Sequence, residues 1–267
     1  MPPAFDRLSG VSSLAPNVAG GSPSSATCEE PTVFHITHWK AGSQWIHRIF
    51  HGLVYERLVL PVVDMTQFLR TPIQPGKVYP TLYVTKEEFD SVAMPANCRR
   101  FVVIRDLRDT LVSLYFSHKF SHALLNEEFV EIRRALEERD EEEGLLFILE
   151  GKLVLSANIQ RSWLKSGEPF IRYEDLLQND LPILEDVLLR HCELRVSPER
   201  LREVAAMYRF ERASGGRRLG EVDVSAHERQ GLPGDWRNHF TNRVRRSFQN
   251  RYGELLVDTG YERDLNW

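Results

Sequence analysis

The sequence predicts an α/β fold, because three short stretches with strand character each run into a pattern of helical periodicity. The first covers residues 33–36 and precedes apolar residues at helical spacing between Trp45 and Leu53. The second covers residues 101–104, a continuous apolar run that is typical of a strand buried on both faces, and helical spacing follows it. The third lies in EPFIRYEDLLQND, residues 168–180, which we interpret as a strand, a turn and a helix.

Length and composition favour one soluble domain over two small ones. The 267 residues suffice for a substantial core, and 42% hydrophobic with 27% charged content is ordinary for a globular protein. The net charge of −4 gives no overall attraction to nucleic acid or to anionic membranes. A site for an anionic ligand must therefore be built locally.

No apolar run approaches the ~20 residues that a membrane span needs, and the amino terminus lacks a signal-peptide pattern. We therefore expect a cytoplasmic protein. Cys28, Cys98 and Cys192 are widely spaced and odd in number, which predicts free thiols and no metal site. Residues 1–30, rich in Ser, Gly, Pro and Ala, are predicted to form a flexible tail that precedes a domain of residues 31–267.

Several further elements follow from local patterns. Residues 78–84 predict a short strand, and Thr85 with Glu88 fits a capping box that opens a short helix. The remaining predicted helices cover residues 127–143, with one solvated face, then 145–165, one starting at Pro182, and one that Ser197 and Pro198 begin.

The segment after the first predicted strand resembles a phosphate-binding turn. Lys40, Gly42 and Ser43 form a compact loop before a helix, where free amides and the helix dipole attract an anion. A Walker A loop would place the lysine after its second glycine, whereas Lys40 precedes Gly42. A phosphate or sulfate ligand is expected, but not in a nucleoside-triphosphatase loop.

The second strand ends in Arg105, and Ser113 lies eight residues later on the following helix. An Arg at the carboxyl end of a parallel strand and a Ser one turn into the next helix both face the crevice in which open α/β sheets bind ligands. Arg can bind a phosphate in a bidentate manner, and Ser adds a neutral hydrogen bond. The alternative is that Arg105 pairs with Asp106 or Asp109.

The third informative stretch is HERQGLPGDWRNHFT, residues 227–241. Gly231 and Gly234 around a Leu-Pro pair predict a tight loop, and Arg229 precedes it. Such a loop can close over an anion.

These three stretches, in this order, resemble the motifs of the sulfotransferases that use 3′-phosphoadenosine 5′-phosphosulfate (PAPS). The resemblance implies a single domain with a central parallel β-sheet flanked by helices, in the P-loop-like fold of nucleotide kinases. It also implies donor-binding residues, which are Lys40, Ala41, Gly42, Ser43, Gln44 and Trp45 at the 5′-phosphosulfate, Arg105, Ser113, Arg229, Gln230 and Gly231 at the 3′-phosphate, and Tyr173 beside the adenine. Gln230 departs from the family, which usually has Lys there.

The resemblance implies sulfuryl transfer to a hydroxyl group with release of 3′,5′-bisphosphoadenosine (PAP) and without a metal ion. Lys40 would stabilise the charge on the leaving oxygen. The histidine that usually acts as base between the first two motifs is missing, since residues 52–101 contain no His. His118 is the first candidate, His122 the second and Asp64 the third, with Glu56 a further carboxylate option.

The acceptor is predicted only by class. Residues 52–84 and 116–128 are rich in aromatic and aliphatic side chains, which favours a lipophilic alcohol, a phenol or a carrier-bound acyl chain. Nucleic acid is not an expected partner, and the oligomeric state stays open. Two alternative functions also stay open: a PAP-binding module without activity, and a small-molecule kinase on the same fold.

Overall fold

Four stretches rich in β-branched and aromatic residues form one parallel sheet. The computed structural model describes residues 30–61, 67–124, 126–226 and 228–267. Its strands are β1 Thr32–Thr37, β2 Val78–Leu82, β3 Cys98–Ile104 and β4 Phe170–Arg172, in the order β2-β1-β3-β4. Every pair of neighbouring strands is parallel, and β1 faces β3 from Thr32↔Cys98 to Thr37↔Val103. The predicted α/β fold with a central parallel sheet is confirmed.

Helices connect the strands and cover both faces of the sheet. In the described part of the chain they are α1 Ser43–Val54, α2 Gln67–Arg70, α3 Lys86–Asp90, α4 Leu107–Phe116, α5 Glu127–Glu137, α6 Glu141–Glu150, α7 Leu153–Trp163, α8 Tyr173–Leu184, α9 Pro198–Met207, α10 Phe210–Ala213, α11 Trp236–His239 and α12 Asn242–Asp258. Short 3₁₀ and π-helical turns extend α1, α4 and α8 over Tyr55–Arg57, Ser117–Ser121 and Glu185–His191.

Alternation along the strands divides the core between the two faces. Val33, Phe101 and Val103 pack with residues of α1, α8 and α9, whereas Phe34 and Val102 pack with α3 and α7. A third cluster joins α4, α6, α7 and α12 beside the sheet. Both faces are covered, which is why the strands read as continuous apolar runs.

Several local predictions hold. Thr85 and Glu88 form the expected capping box, and the Ser197 side chain accepts a hydrogen bond from the amide of Arg200 at the start of α9. Cys98 and Cys192 are free thiols, and Cys28 lies outside the described residues. The predicted tail also lies outside them, except for Glu30. None of the described helices is long and apolar enough to cross a membrane.

Other helix boundaries differ from the predictions. The helix predicted for residues 127–143 is two helices, because the Asp140 side chain accepts a hydrogen bond from the amide of Glu143 and starts α6 anew. The helix predicted for residues 145–165 is also interrupted: α6 ends at its C-cap Gly151, and α7 begins at Leu153 without a side-chain cap. Pro182 does not start a helix but lies inside α8, three residues after a kink at Asn179.

Candidate active site

The carboxyl ends of the strands open onto one cleft of about 710 Å³. Strands β1, β3 and β4 lead directly to Lys40, Arg105 and Tyr173, because parallel strands end at the same edge of the sheet. The predicted residues that line the cleft are Lys40, Gly42, Ser43, Gln44, Trp45, Arg105, Ser113, His118, His122, Tyr173, Arg229, Gln230 and Gly231. Of the predicted donor-binding residues, Ala41 alone is not on the cleft wall, and its side chain is fully buried.

The first loop, residues 40–45, has the backbone that an anion site requires. Gly42 is the N-cap of α1 and adopts φ 81°, and without a side chain it leaves the first amides of the helix uncapped. A Cβ atom at Gly42 would lie 2.7 Å from the ring of Tyr173, so no other residue fits without displacement. The Ser43 hydroxyl shares a 2.9 Å hydrogen bond with the hydroxyl of Tyr83.

The ammonium group of Lys40 is held inside the cleft. Its Nζ donates to the Oγ of Ser117 over 3.4 Å. Burial, reinforced by the nearby Arg105 cation, lowers the pKa of Lys40 to about 8. A cation that is poorly solvated in this way gains strongly from a phosphate or sulfate brought beside it.

His38 anchors the first loop from beneath, a role that sequence reasoning missed. Its Nε2 atom lies 3.1 Å from the backbone nitrogen of Arg105 and 2.9 Å from Nε2 of Gln160. Because a backbone N–H can only donate, Nε2 of His38 is the acceptor, and its Nδ1–H donates to the carbonyl of Trp39 over 3.0 Å. Burial lowers the pKa of His38 to about 4, so the ring remains neutral. The only sequence signal was a histidine at the end of a buried strand.

Arg105 faces the first loop and not the neighbouring acids. Its Nη1 donates to the carbonyl of Lys40 over 2.9 Å, and the guanidinium lies 5.3 Å from the centroid of the Tyr173 ring. Asp106 is instead ion-paired with Arg108, and Asp109 accepts two backbone N–H bonds. The alternative that Arg105 pairs with one of these acids is therefore wrong.

The C-terminal loop, residues 228–235, closes the cleft from the other side. Arg229 is ion-paired with Asp235 and lies 4.6 Å from the centroid of the Phe116 ring. Burial alone would raise the pKa of Asp235, yet hydrogen bonds from His239 and Arg229 hold the pKa of this carboxyl well below its usual range. Glu228 is ion-paired with Arg48 of α1 over 3.1 Å. Asp235 thus compensates the charge of Arg229, and Glu228 compensates that of Arg48.

One wall of the cleft is aromatic, and sequence reasoning found only part of it. Trp45 and Tyr173 meet edge to face with centroids 6.3 Å apart. Tyr208 and Phe210, which follow α9, also line the cleft and were not predicted. The aromatic pair within YRF, residues 208–210, was the available signal, but spacing alone could not show that it turns toward the cleft.

The two candidate histidines lie together near Lys40. His118 is buried in the π-helical turn, and both of its ring nitrogens lack a hydrogen-bond partner among the described residues. The ring centroids of His118 and His122 are each 6.0 Å from that of Trp39 and 5.5 Å from each other. The alternative carboxylate Glu56 lies exposed on the 3₁₀ turn and does not line the cleft. Asp64 lies outside the described residues.

Neither candidate histidine has the ordinary pKa of a histidine. Burial, aided by the neighbouring His122 and by Lys152 and Lys40, lowers the pKa of His118 to about 3. Burial and Lys40 also lower the pKa of His122. Both rings are therefore neutral at neutral pH, as a proton acceptor must be, although each is a weaker base than a free histidine.

Comparison with known proteins decides the family. The model of the sulfotransferase domain matches residues 30–260. The chain belongs to the sulfotransferase family. The predicted resemblance is thereby confirmed, and the match spans all three motifs on which it was based.

Solved structures show the same fold at low sequence identity. A mouse sulfotransferase, SULT7A1, complexed with PAP, matches with a TM-score of 0.59 and 18% identity over 88% of this chain and 87% of that chain. A retinol dehydratase in a complex with retinol and PAP matches with a TM-score of 0.53 and 14% identity, over 86% and 82% of the two chains. Retinol dehydratase in complex with androsterone and the inactive cofactor PAP matches with a TM-score of 0.52 and 14% identity, over 85% of this chain and 81% of that chain. No curated protein gives a significant match.

Proposed function

We propose that this sulfotransferase moves the sulfuryl group of PAPS to a hydroxyl group of a small lipophilic or carrier-bound acceptor and releases PAP. One observation carries the proposal: a single cleft joins cations from three separate stretches, Lys40, Arg105 and Arg229, to the uncapped amino end of α1. The donor carries three anionic groups, so separate cations suit it better than one basic patch. The PAP complexes among the structural neighbours support this choice of donor.

The 5′-phosphosulfate is proposed to bind at the first loop. The amides that begin α1 and the hydroxyl of Ser43 offer hydrogen-bond donors, and Lys40 supplies the charge. The 3′-phosphate is proposed to bind between Arg105, Ser113 and the C-terminal loop. The adenine then lies against the aromatic wall formed by Trp45, Tyr173 and Phe210.

Catalysis is proposed to proceed by in-line transfer. The acceptor oxygen attacks sulfur while the bond from sulfur to the bridging oxygen of the 5′-phosphate breaks, and negative charge grows on that bridging oxygen. Lys40 stabilises this charge, so its effect is larger in the transition state than in the ground state. His118 accepts the acceptor's proton, since it is neutral, lines the cleft and lies near Lys40. The anionic donor should raise the pKa of His118 in the complex and strengthen it as a base.

The acceptor is proposed to bind beside the histidines. Trp39, Phe129 and Tyr83 line that part of the cleft and offer an apolar surface to a small organic molecule. The retinol and androsterone of the retinol dehydratase complexes are lipophilic ligands of the same kind. A cytoplasmic location agrees with small-molecule sulfation.

A PAP-binding module without activity is the second candidate, because Gln230 leaves one donor-binding position without its usual cation. Two measurements separate the possibilities. The first compares the melting temperature of the protein with PAP and with ATP plus magnesium, which tests the choice of donor. We expect PAP to raise the melting temperature and ATP with magnesium to leave it unchanged. Labelled PAPS incubated with pools of alcohols, phenols, sugars and acyl carriers then tests activity, and label in any acceptor excludes the module. Stabilisation by ATP and magnesium but not by PAP would favour a kinase.

A further inference from the structure

Arg108 belongs to the second motif but does not reach the cleft. Its side chain is 3% exposed, and its guanidinium lies against two indole rings, 4.1 Å from the centroid of Trp236 and 4.5 Å from that of Trp267. It is ion-paired with Asp106 over 2.7 Å and with Glu262 over 2.5 Å. Two indole rings and two carboxylates therefore hold this buried cation from several sides.

This cluster connects α4 to the C-terminal loop. The carboxylate of Asp109, one residue after Arg108, accepts the N–H of Gly234 at 2.6 Å and of Trp236 at 3.0 Å. Trp236 in turn packs on Arg108. The position of the C-terminal loop, and thus of Arg229, relative to Arg105 therefore depends on the first turn of α4.

Residues 261–267 form the outer wall of the same cluster. The ring of Trp267 meets that of Trp236 edge to face at 5.5 Å and covers a second, neighbouring side of Arg108. The Tyr261 hydroxyl donates to Glu174 over 2.7 Å, and the other carboxylate oxygen of Glu174 accepts the N–H of Asp106 at 3.0 Å. Contacts from this segment thus reach both ends of the Asp106–Arg108 turn.

We propose that residues 261–267, here named the C-terminal clamp, position the C-terminal loop against Arg105 and thereby set the selectivity of the protein for a donor with a 3′-phosphate. Tyr261, Glu262 and Trp267 do not line the cleft, so they act as positioning residues. The inference rests on the proposed donor site. It adds a specificity role to a segment that touches no part of the donor.

Loss of affinity should be confined to binding of the 3′-phosphate, because residues outside the clamp hold the first loop in place. Tyr83 binds Ser43 inside the loop, and His38, which is hydrogen-bonded to Gln160, donates to the carbonyl of Trp39 just before the loop. None of these residues belongs to the clamp or to the cluster around Arg108. Loosening the clamp should therefore leave 5′-phosphate binding nearly unchanged.

The test compares calorimetric dissociation constants for PAP and for AMP, which lacks the 3′-phosphate, in the wild type and in Trp267→Ala. We expect PAP affinity to fall roughly threefold to thirtyfold in the variant, as for the loss of one buried cation–π contact, while AMP affinity stays the same. Trp267→Phe keeps an aromatic face on Arg108 and should restore most of the preference for PAP. Leu265→Ala is the matched control, since Leu265 lies in the same segment but packs at Gly253.

The titrations are run well below the melting temperature of each variant. If Trp267→Ala does not fold, Glu262→Gln provides the same comparison, because it removes one ion pair of Arg108. The proposal is overturned if Trp267→Ala and Glu262→Gln keep the wild-type ratio of the two dissociation constants, or if they lose affinity for both ligands equally. A wild type that binds PAP no better than AMP would instead overturn the donor assignment. The two failures are thus distinguishable.

Discussion

The two loops that face each other across the cleft are held in different ways. The first loop is anchored by hydrogen bonds without an ion pair: Tyr83 binds Ser43, His38 donates to the carbonyl of Trp39, and the Arg105 guanidinium donates to the carbonyl of Lys40. The ammonium of Lys40 has no carboxylate partner among the described residues. The C-terminal loop is anchored through carboxylates, since Glu228 is paired to Arg48 and Asp109 accepts the N–H of Gly234, while Arg229 is paired to Asp235 within the loop.

This difference separates catalysis from recognition. An unpaired, poorly solvated lysine gains most from charge that develops during the reaction, so the first loop suits leaving-group stabilisation. A paired arginine gains less net energy from a phosphate, because its internal partner already compensates it. The C-terminal loop therefore suits selectivity for the donor.

The largest effect is expected at Lys40. In Lys40→Ala, the rate of sulfation should fall by orders of magnitude, because donor binding and leaving-group stabilisation both depend on this ammonium group. PAP affinity should fall less than turnover. Steady-state rates with labelled PAPS and calorimetry with PAP measure the two losses, and near-normal turnover would end the assignment of the first loop to catalysis.

Substitution of His118 tests whether the catalytic base lies beside the first loop. His118→Ala should lower turnover by roughly 10²–10⁴ and leave PAP binding nearly intact, since general base catalysis is typically worth that much. His122→Ala is the control in the same aromatic cluster and should retain most activity. If both variants stay active while Asp64→Asn or Glu56→Gln loses activity, a carboxylate is the base.

The arginines test the recognition role. Arg105→Ala and Arg229→Ala should each weaken PAP binding by about tenfold to a hundredfold, as expected for hydrogen bonds to charged groups. Binding of an adenosine bisphosphate with its second phosphate at another ribose position should change much less. Equal losses for both bisphosphates would mean that these arginines do not recognise the 3′-phosphate.

His38 tests the neutral anchor of the first loop. His38→Ala leaves the buried N–H of Arg105 without an acceptor, which should lower the free energy of unfolding by about 1–3 kcal/mol. Urea unfolding measures this loss, and His51→Ala, an exposed histidine of α1, is the control. An unchanged stability would show that the N–H finds another partner.

The pH dependence gives the smallest effect. Lys40 is charged below its lowered pKa of about 8 and neutral above it, so PAP affinity should fall several-fold as the pH rises from about 7 to about 9. Lys40→Met should lack this decline. Because the pKa of His118 is lowered to about 3 in the protein without ligand, we expect its protonation to cause no loss of kcat/KM, which reports the free enzyme, between about pH 5 and about pH 7.

Motif and periodicity were sufficient to predict the sheet, the first loop and both arginines, since each depends on local sequence around a strand end. Three other features depend on contacts between residues that are distant in sequence. His38 acts through Arg105 and Gln160, and Arg108 is enclosed by Trp236 and Trp267. Spacing along the chain carries no information about such pairs. The lowered pKa of His118 could not be predicted for the same reason, because its burial arises from tertiary packing.

A crystal structure of the protein with PAP tests the central claim most directly. We predict the 5′-phosphate within hydrogen-bonding distance of the Lys40 ammonium and of the amides that begin α1. The 3′-phosphate should contact Arg105 and Arg229 on the opposite side of the cleft. PAP bound with its phosphates exchanged between the two loops, or bound outside this cleft, would contradict the account.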